Sequence, residues 1–166
     1  MATPQLCVTV TAPTMAELRA KRDAVVDADL IELRLDSVSD PSVAGALEGR
    51  ARPVAVTCRP TWEGGGFTGS EEERHRILQE SLDGGAEYVD LEWRARFDDL
   101  VSAGGRRVVL STHDFTGMSH DLTGQAQAMR SACAGIVKVA VTPSVSPTAP
   151  RCCRSGSRCR GAAARW

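Results

Sequence analysis

The chain contains the stretch Gly135-Ile136-Val137-Lys138-Val139-Ala140-Val141, in which one lysine interrupts a short run of β-branched residues. Such a run predicts a buried strand. The lysine is unusual because the chain has only two lysines, Lys21 and Lys138, against eighteen arginines. Burial disfavours a charged ammonium, and a neutral lysine amine is a nucleophile, which arginine is not. Lys138 is therefore the first candidate catalytic residue, although a lysine at a strand end can also extend its head group to solvent.

Composition narrows the class of protein. A length of 166 residues with 42% hydrophobic and 25% charged residues fits one globular domain rather than a disordered chain. The apolar runs are too short to span a membrane, and residues 1–5 lack the features of a signal peptide, so we expect a cytoplasmic protein. Residues 1–142 carry six more acidic than basic side chains, which argues against nucleic-acid binding. The spacing of Cys152, Cys153 and Cys159 matches no zinc site, so we expect no metal.

Strands and helices alternate along the sequence, and the strands are largely apolar, which is typical of a parallel sheet covered by helices. The predicted strands span residues 6–10, 29–35, 53–58, 86–91, 107–111 and 136–141. Their spacing of roughly 20–33 residues is close to the ~31 residues per unit of an eight-fold (β/α) barrel. A doubly wound sheet is the competing architecture, but its glycine-rich phosphate-binding turn is missing after the first strand. We also expect Asp40-Pro41 to start a helix and residues 94–102 to form a single helix.

Polar residues cluster at the carboxyl ends of the predicted strands. They are Thr9, Glu32, Arg34, Arg59, Glu63, Glu92, His113 and Lys138. In a parallel barrel these ends form one rim, and active sites are built there. The sequence therefore predicts an α/β fold of the (β/α)8 TIM-barrel type, incomplete here, with about six strand–helix units.

Three of these residues have two interpretations each. Glu32 and Arg34 lie two apart on one strand and so face the same side, where they form either a structural ion pair or contacts to a substrate. Arg59 follows the third strand, where an arginine can bind a carboxylate or a hydroxylated ligand. A surface arginine is the simpler alternative for that position.

Two further candidates, Glu63 and His113, have titratable side chains. Glu63 lies in the glycine-rich stretch WEGGG at residues 62–66, which predicts a mobile loop, and a solvated loop acid is the alternative there. A lone histidine is more often structural than catalytic. The strand of His113, however, would neighbour that of Lys138 in a sequential barrel, and a neutral imidazole beside an imine-forming amine is a general acid/base pair.

Five motifs occur together in a characteristic order and approximate spacing. They are IELRLD (31–36), RPTWEGG (59–65), YVDLE (88–92), STHDF (111–115) and VKVA (137–140). In this respect residues 5–142 resemble type I 3-dehydroquinate dehydratase, the Schiff-base dehydratase of the shikimate pathway, which leads to the aromatic amino acids.

The resemblance implies a mechanism without a metal or organic cofactor. Lys138 would form an imine with the C3 ketone of 3-dehydroquinate, and His113 would remove the C2 proton and protonate the departing C1 hydroxyl, giving 3-dehydroshikimate. Glu63 would support His113. The resemblance further implies substrate positioning by Glu32, Arg34 and Arg59, with Thr9 where the family often has serine, and structural support by Glu92.

The resemblance stops after residue 142. Residues 143–166 are rich in Arg, Cys, Ser, Ala and Pro and lack Leu, Ile and Phe, so we expect a disordered tail after an incomplete barrel at 1–142. The family continues for two more strand–helix units, which supply an arginine for the substrate carboxylate. Two alternatives therefore remain: an inactive fragment or pseudo-enzyme of the family, and another imine-forming barrel lyase of the aldolase type. A homodimer is compatible with the resemblance.

Overall fold

The computed structural model describes residues 4–115, 117 and 121–142. Six strands and five helices alternate within them. The strands are β1 (Cys7–Val10), β2 (Leu30–Arg34), β3 (Val54–Thr57), β4 (Tyr88–Glu92), β5 (Val108–Asp114) and β6 (Ile136–Val141). The helices are α1 (Met15–Ala24), α2 (Val43–Leu47), α3 (Glu71–Asp83), α4 (Asp98–Gly104) and α5 (Leu122–Arg130). The tail predicted at 143–166 lies outside the described residues.

The six strands form one sheet in the order β1-β2-β3-β4-β5-β6, and all neighbouring pairs are parallel. A doubly wound sheet would reverse its strand order near the middle, and this sheet does not. The architecture is a curled half-barrel with its helices on the outside, which confirms the incomplete (β/α) barrel. No helix among the described residues is long and apolar enough to cross a membrane.

Two helices begin at side-chain caps. The side chains of Thr14 and Ser70 accept hydrogen bonds from the backbone N–H groups of Glu17 and Glu73, which begins α1 and α3. The prediction that Asp40-Pro41 starts a helix was wrong. The helix begins after Ser42, whose backbone is extended and whose hydroxyl accepts a hydrogen bond from the N–H of Gly45 in the first turn of α2.

Two further boundaries differ from the predictions. Residues 94–102 do not form one helix, because Arg96 adopts a left-handed conformation with φ 58° between a 3₁₀ turn and α4. In addition, β5 continues to Asp114 rather than ending at residue 111. His113 therefore lies within the strand, where its side-chain direction is fixed by the pleat.

Alternation along the strands separates an apolar face from a polar one. Leu33, Val56, Val89, Leu91 and Leu110 belong to one buried cluster with helix residues such as Leu18, Leu78 and Leu100. Because successive side chains of a strand point to opposite faces, the polar side chains between them face the inside of the half-barrel. The register pairs Thr9 with Glu32, Thr57 with Asp90 and Ser111 with Lys138 on that inner face.

Candidate active site

Lys138 lies in the middle of β6 and pairs with Ser111 of the neighbouring strand β5. Its side chain is 33% exposed, and its Nζ lies 3.4 Å from Oδ2 of Asp90 on β4. The amine is therefore directed along the inner face toward a carboxylate, rather than away from the sheet into solvent.

His113 follows Ser111 by two residues on β5 and so faces the same side as Lys138. Its backbone N–H donates a 3.0 Å hydrogen bond to Oε1 of Glu63. Its ring Nδ1 lies 3.9 Å from Oε2 of the same glutamate. Both of these side-chain atoms are buried, and neither has another hydrogen-bond partner among the described residues.

The glycine-rich segment after β3 is a packed turn that directs Glu63 toward β5. Glu63 is only 3% exposed, so the alternative of a solvated loop acid was wrong. A 3₁₀ turn over Thr61–Glu63 ends at Gly64 with φ 77°, a conformation that favours glycine. A Cβ on Gly65 would lie 2.1 Å from the carbonyl oxygen of Arg59, so only glycine fits this close approach.

Phe115 covers one side of the imidazole. Its ring is stacked on His113, with a centroid separation of 6.1 Å and an interplanar angle of 16°. The same ring packs on Gly64, where a Cβ would clash with it at 2.5 Å. Phe115 therefore links the strand end to the glycine-rich turn and limits the positions that the imidazole can adopt.

Arg59 is buried at the centre of a charge network and is 3% exposed, so it is not a surface arginine. Its guanidinium lies 2.7 Å from Glu92, 3.0 Å from Asp90 and 3.5 Å from Glu63. It also donates a 2.9 Å hydrogen bond to the hydroxyl of Ser111. One cation thus connects the ends of three successive strands.

Two members of this network, Asp90 and Arg74, were not predicted from the sequence. Arg74 of α3 is fully buried and forms an ion pair with the second oxygen of Glu92. A signal existed for each. Asp90 stands two residues before Glu92 on one strand and must share its face. Arg74 is in helical phase with buried residues of α3, namely Ile77, Leu78 and Ser81.

The two carboxyl groups of β4 differ in their protonation. Burial raises the pKa of Glu92 to about 7, against the opposing effect of Arg59 and Arg74. Asp90 is also buried, but Arg59 and Lys138 outweigh that burial and hold its pKa below the usual range. Asp90 is therefore an anion at neutral pH, whereas Glu92 binds a proton near neutrality.

Glu32 and Arg34 each have a partner of their own rather than each other. One oxygen of Glu32 accepts a 2.7 Å hydrogen bond from Thr9 and the other accepts a 2.7 Å bond from Thr57. Arg34 forms two hydrogen bonds of 2.8 and 2.7 Å with Asp36. The predicted alternative of a structural Glu32–Arg34 ion pair is therefore wrong, because each charge is satisfied separately.

Asp36 joins Arg34 to the glycine-rich turn. Its Oδ2 accepts a 3.0 Å hydrogen bond from the backbone N–H of Gly66, which also packs directly on the Asp36 carbonyl. Burial of Asp36 is outweighed by its bonds to Arg34 and Gly66, so its pKa is lowered. One buried carboxylate thus orients a guanidinium at the end of β2 and holds the turn that carries Glu63.

The inner face therefore combines an amine, an imidazole and a buried carboxylate with hydroxyl and guanidinium groups around them. This set is suited to imine formation at a ketone, followed by proton transfer at the neighbouring carbon. Among the described residues, no three or more His, Cys, Asp or Glu side chains are grouped so as to hold a metal ion.

Comparison with known sequences places the chain in a family. The family model described as type I 3-dehydroquinase matches residues 6–147. The 3-dehydroquinate dehydratase of Desulfotalea psychrophila is 36% identical over 146 residues, covering 83% of this chain and 65% of that protein. The enzyme of the same name from Methanothrix thermoacetophila is 35% identical and is covered over 57% of its length. This chain spans less than two thirds of the length of both relatives.

Solved structures show the same fold. The type I 3-dehydroquinate dehydratase of Clostridium difficile superposes with a TM-score of 0.83 at 18% identity, covering 93% of this chain and 69% of that one. The 3-dehydroquinate dehydratase of Enterococcus faecalis also gives 0.83, at 24% identity, with coverage of 93% and 73%. Taken together with the family match over most of the sequence, the chain belongs to the type I 3-dehydroquinase family.

Proposed function

We propose that this protein converts 3-dehydroquinate to 3-dehydroshikimate and water through an imine on Lys138. The observation that carries the proposal is the placement of Lys138 and His113 on neighbouring strands, facing the same side. Glu63 is buried against the backbone and the ring of His113. The curated relatives named 3-dehydroquinate dehydratase support the choice of substrate.

The first half of the reaction takes place at Lys138. Its neutral amine adds to the C3 ketone carbon, and the resulting carbinolamine loses water to leave a protonated imine. The inner face of the half-barrel positions the amine beside a carboxylate that stays ionised. The positively charged imine then withdraws electrons from the neighbouring C2–H bond.

The second half uses His113 as base and then as acid. The imidazole removes the C2 proton. The electron pair of that bond forms a double bond between C2 and C3, and the π pair of the imine moves onto nitrogen to give an enamine. The enamine expels the C1 hydroxyl, which leaves as water with the proton from His113, and hydrolysis of the imine releases the product. Glu63 faces Nδ1 of the imidazole, so it stabilises the imidazolium form that exists between the two steps.

Substrate positioning is assigned to Thr9, Glu32 and Arg34. Glu32 accepts from the Thr9 and Thr57 hydroxyls, and Arg34 is oriented by Asp36, so these groups are preorganised for a polyhydroxylated ring. The contacts of Arg59 favour an indirect role, through Asp90 and Glu63. Its direct contact with substrate stays a prediction. A cytoplasmic location, a homodimer and the absence of a nucleic-acid partner also stay predictions.

Borohydride trapping with 3-dehydroquinate, followed by peptide mass spectrometry, tests the proposal. We expect a reduced adduct on Lys138 that is lost in Lys138→Ala and retained in Lys21→Ala, the matched control at the only other lysine. An adduct on Lys21 would contradict the assignment of the nucleophile. Absence of any adduct would instead favour an inactive member of the family. Trapping with small aldolase substrates but not with 3-dehydroquinate would favour an aldolase-type lyase.

A further inference from the structure

The reaction steps described above give no role to Asp90. It lies on the inner face of β4, 3% exposed, and its Oδ2 contacts the Lys138 Nζ at 3.4 Å. No other carboxylate of the described chain forms an ion pair with Lys138. The anion nearest to the reacting nitrogen is therefore a buried aspartate on a strand that is two positions away in the sheet.

The carboxylate of Asp90 is fixed in its orientation. Its other oxygen, Oδ1, lies 3.0 Å from the guanidinium of Arg59 in an ion pair and accepts a hydrogen bond from the hydroxyl of Ser111. These two partners come from either side of β4, one after the end of β3 and the other within β5. Rotation of the carboxylate would break both contacts, so Oδ2 stays directed at β6 and at the lysine nitrogen.

The charge of Asp90 is also fixed. Arg59 and Lys138 keep its pKa below the usual range despite its burial, whereas burial raises the pKa of Glu92 on the same strand. Asp90 is thus an anion at neutral pH. It is not a proton carrier under these conditions.

We propose that Asp90 is the counter-ion of the Lys138 nitrogen, and that it stabilises first the ammonium and then the protonated imine. The proposal rests on the imine mechanism proposed above. In imine formation, the amine, the ketone and one proton give an iminium ion and one water, so a single positive charge stays on nitrogen. Asp90 neither gains nor loses a proton. When the C2 proton leaves, the π pair of the imine moves onto nitrogen and neutralises it; loss of the C1 hydroxyl then restores the double bond to nitrogen and the positive charge beside Asp90.

A matched pair of variants separates this role from structural support. Asp90 and Glu92 are both buried carboxylates in contact with Arg59, but only Asp90 contacts Lys138. Asp90→Asn and Glu92→Gln each change one of these carboxylates into an amide. The fraction of protein trapped by borohydride with 3-dehydroquinate is measured by intact mass. We expect about a tenfold fall in Asp90→Asn, the lower end of the effect of a close opposite charge, and less than about a twofold fall in Glu92→Gln.

Acetylation by acetic anhydride gives a second reading that needs no substrate. It requires only a neutral amine, and Lys21 in the same protein is the internal reference. Loss of the counter-ion in Asp90→Asn should speed the acetylation of Lys138 relative to Lys21, while imine trapping falls. A structural role would not move the two measurements in opposite directions.

Several outcomes overturn the proposal. The proposal is wrong if Asp90→Asn is trapped as fully as the unaltered protein. It is also wrong if Asp90→Asn and Glu92→Gln lose trapping to the same extent. If the unaltered protein gives no adduct, the proposed function fails, and the acetylation ratio alone decides whether Asp90 pairs with Lys138. If Asp90→Asn does not fold, as judged by circular dichroism, Ser111→Ala replaces it. That variant keeps the charge but removes one anchor, so a partial loss of trapping supports the proposal and unchanged trapping overturns it.

Discussion

Removal of Arg59 should destabilise the protein more than removal of any exposed arginine. Its guanidinium forms ion pairs with Glu92, Asp90 and Glu63, and its side chain is almost fully buried. Arg59→Met keeps much of the side-chain length but leaves these carboxylates without their shared cation. Breaking a buried ion pair by removing one partner costs about 3–5 kcal/mol. We expect a loss in free energy of unfolding within that range.

Urea denaturation followed by circular dichroism measures this loss, with Arg76→Met as the control. Arg76 forms an ion pair with Glu80 on the exposed face of α3, and such surface pairs contribute roughly 0–1 kcal/mol. Acidification should reduce the loss in free energy of unfolding that Arg59→Met causes. In this variant the unpaired buried carboxyl groups bind protons more tightly in the folded protein than in the unfolded chain, and a protonated carboxyl group needs no cation. Equal losses in the two variants, or a loss in Arg59→Met that does not change with pH, would refute the electrostatic reasoning.

Three further outcomes follow from the site and from the corrected helix boundary. Asp36→Asn should raise the KM for 3-dehydroquinate more than it lowers kcat, because Arg34 loses its orienting partner; equal effects on both constants would contradict this role. Folding lowers the pKa of Asp36, so its carboxylate stabilises the folded protein at pH values above the pKa that this group has in the unfolded chain. This contribution is lost as pH falls through the pKa of Asp36 in the folded protein. The difference in free energy of unfolding between the variant and the unaltered protein should therefore shrink in acid. Ser42→Ala should cost about 1 kcal/mol in urea denaturation, whereas Asp40→Ala should cost almost nothing, because Ser42 and not Asp40 caps α2. Gly65→Ala should lower both stability and trapped adduct, because its Cβ would meet a backbone carbonyl oxygen; an active, fully stable variant would show that the turn can shift.

The barrel architecture was predictable from sequence, and so was the rim of the barrel that carries the candidate site. Each prediction depends on a local periodic signal. Parallel strands joined in sequence place their carboxyl ends at one rim, so Lys138 and His113 could be assigned to it before any contact was known. Their shared face also follows from the two-residue period of β5, since Ser111 pairs with Lys138 and His113 is two residues further on. A single slip in that register would have separated them.

The partners of the charged groups were not predictable in the same way. The two-residue spacing of Glu32 and Arg34 allowed an ion pair between them, but each side chain bonds to a different residue. Ion pairing depends on which side chains can reach one another across several strands. A solvated loop acid remained an alternative for Glu63 because sequence composition cannot show that the glycine-rich turn packs against the backbone of Arg59. Arg74 was overlooked because an arginine on a helix is ordinarily solvated.

The charged groups of the candidate site link the proposed catalysis to stability. Arg59, Arg74 and Lys138 face Glu63, Asp90 and Glu92, and Arg59 contacts all three carboxylates. Folding raises the pKa of Glu92 to about 7, so the folded protein binds the Glu92 proton more tightly than the unfolded chain does. Protonated Glu92 therefore favours folding on the acid side of neutrality, and this contribution is lost as pH rises through about 7. Asp90 has a lowered pKa and behaves in the opposite way. A fall in pH through neutrality therefore protonates Glu92 before Asp90, which leaves the counter-ion of Lys138 ionised.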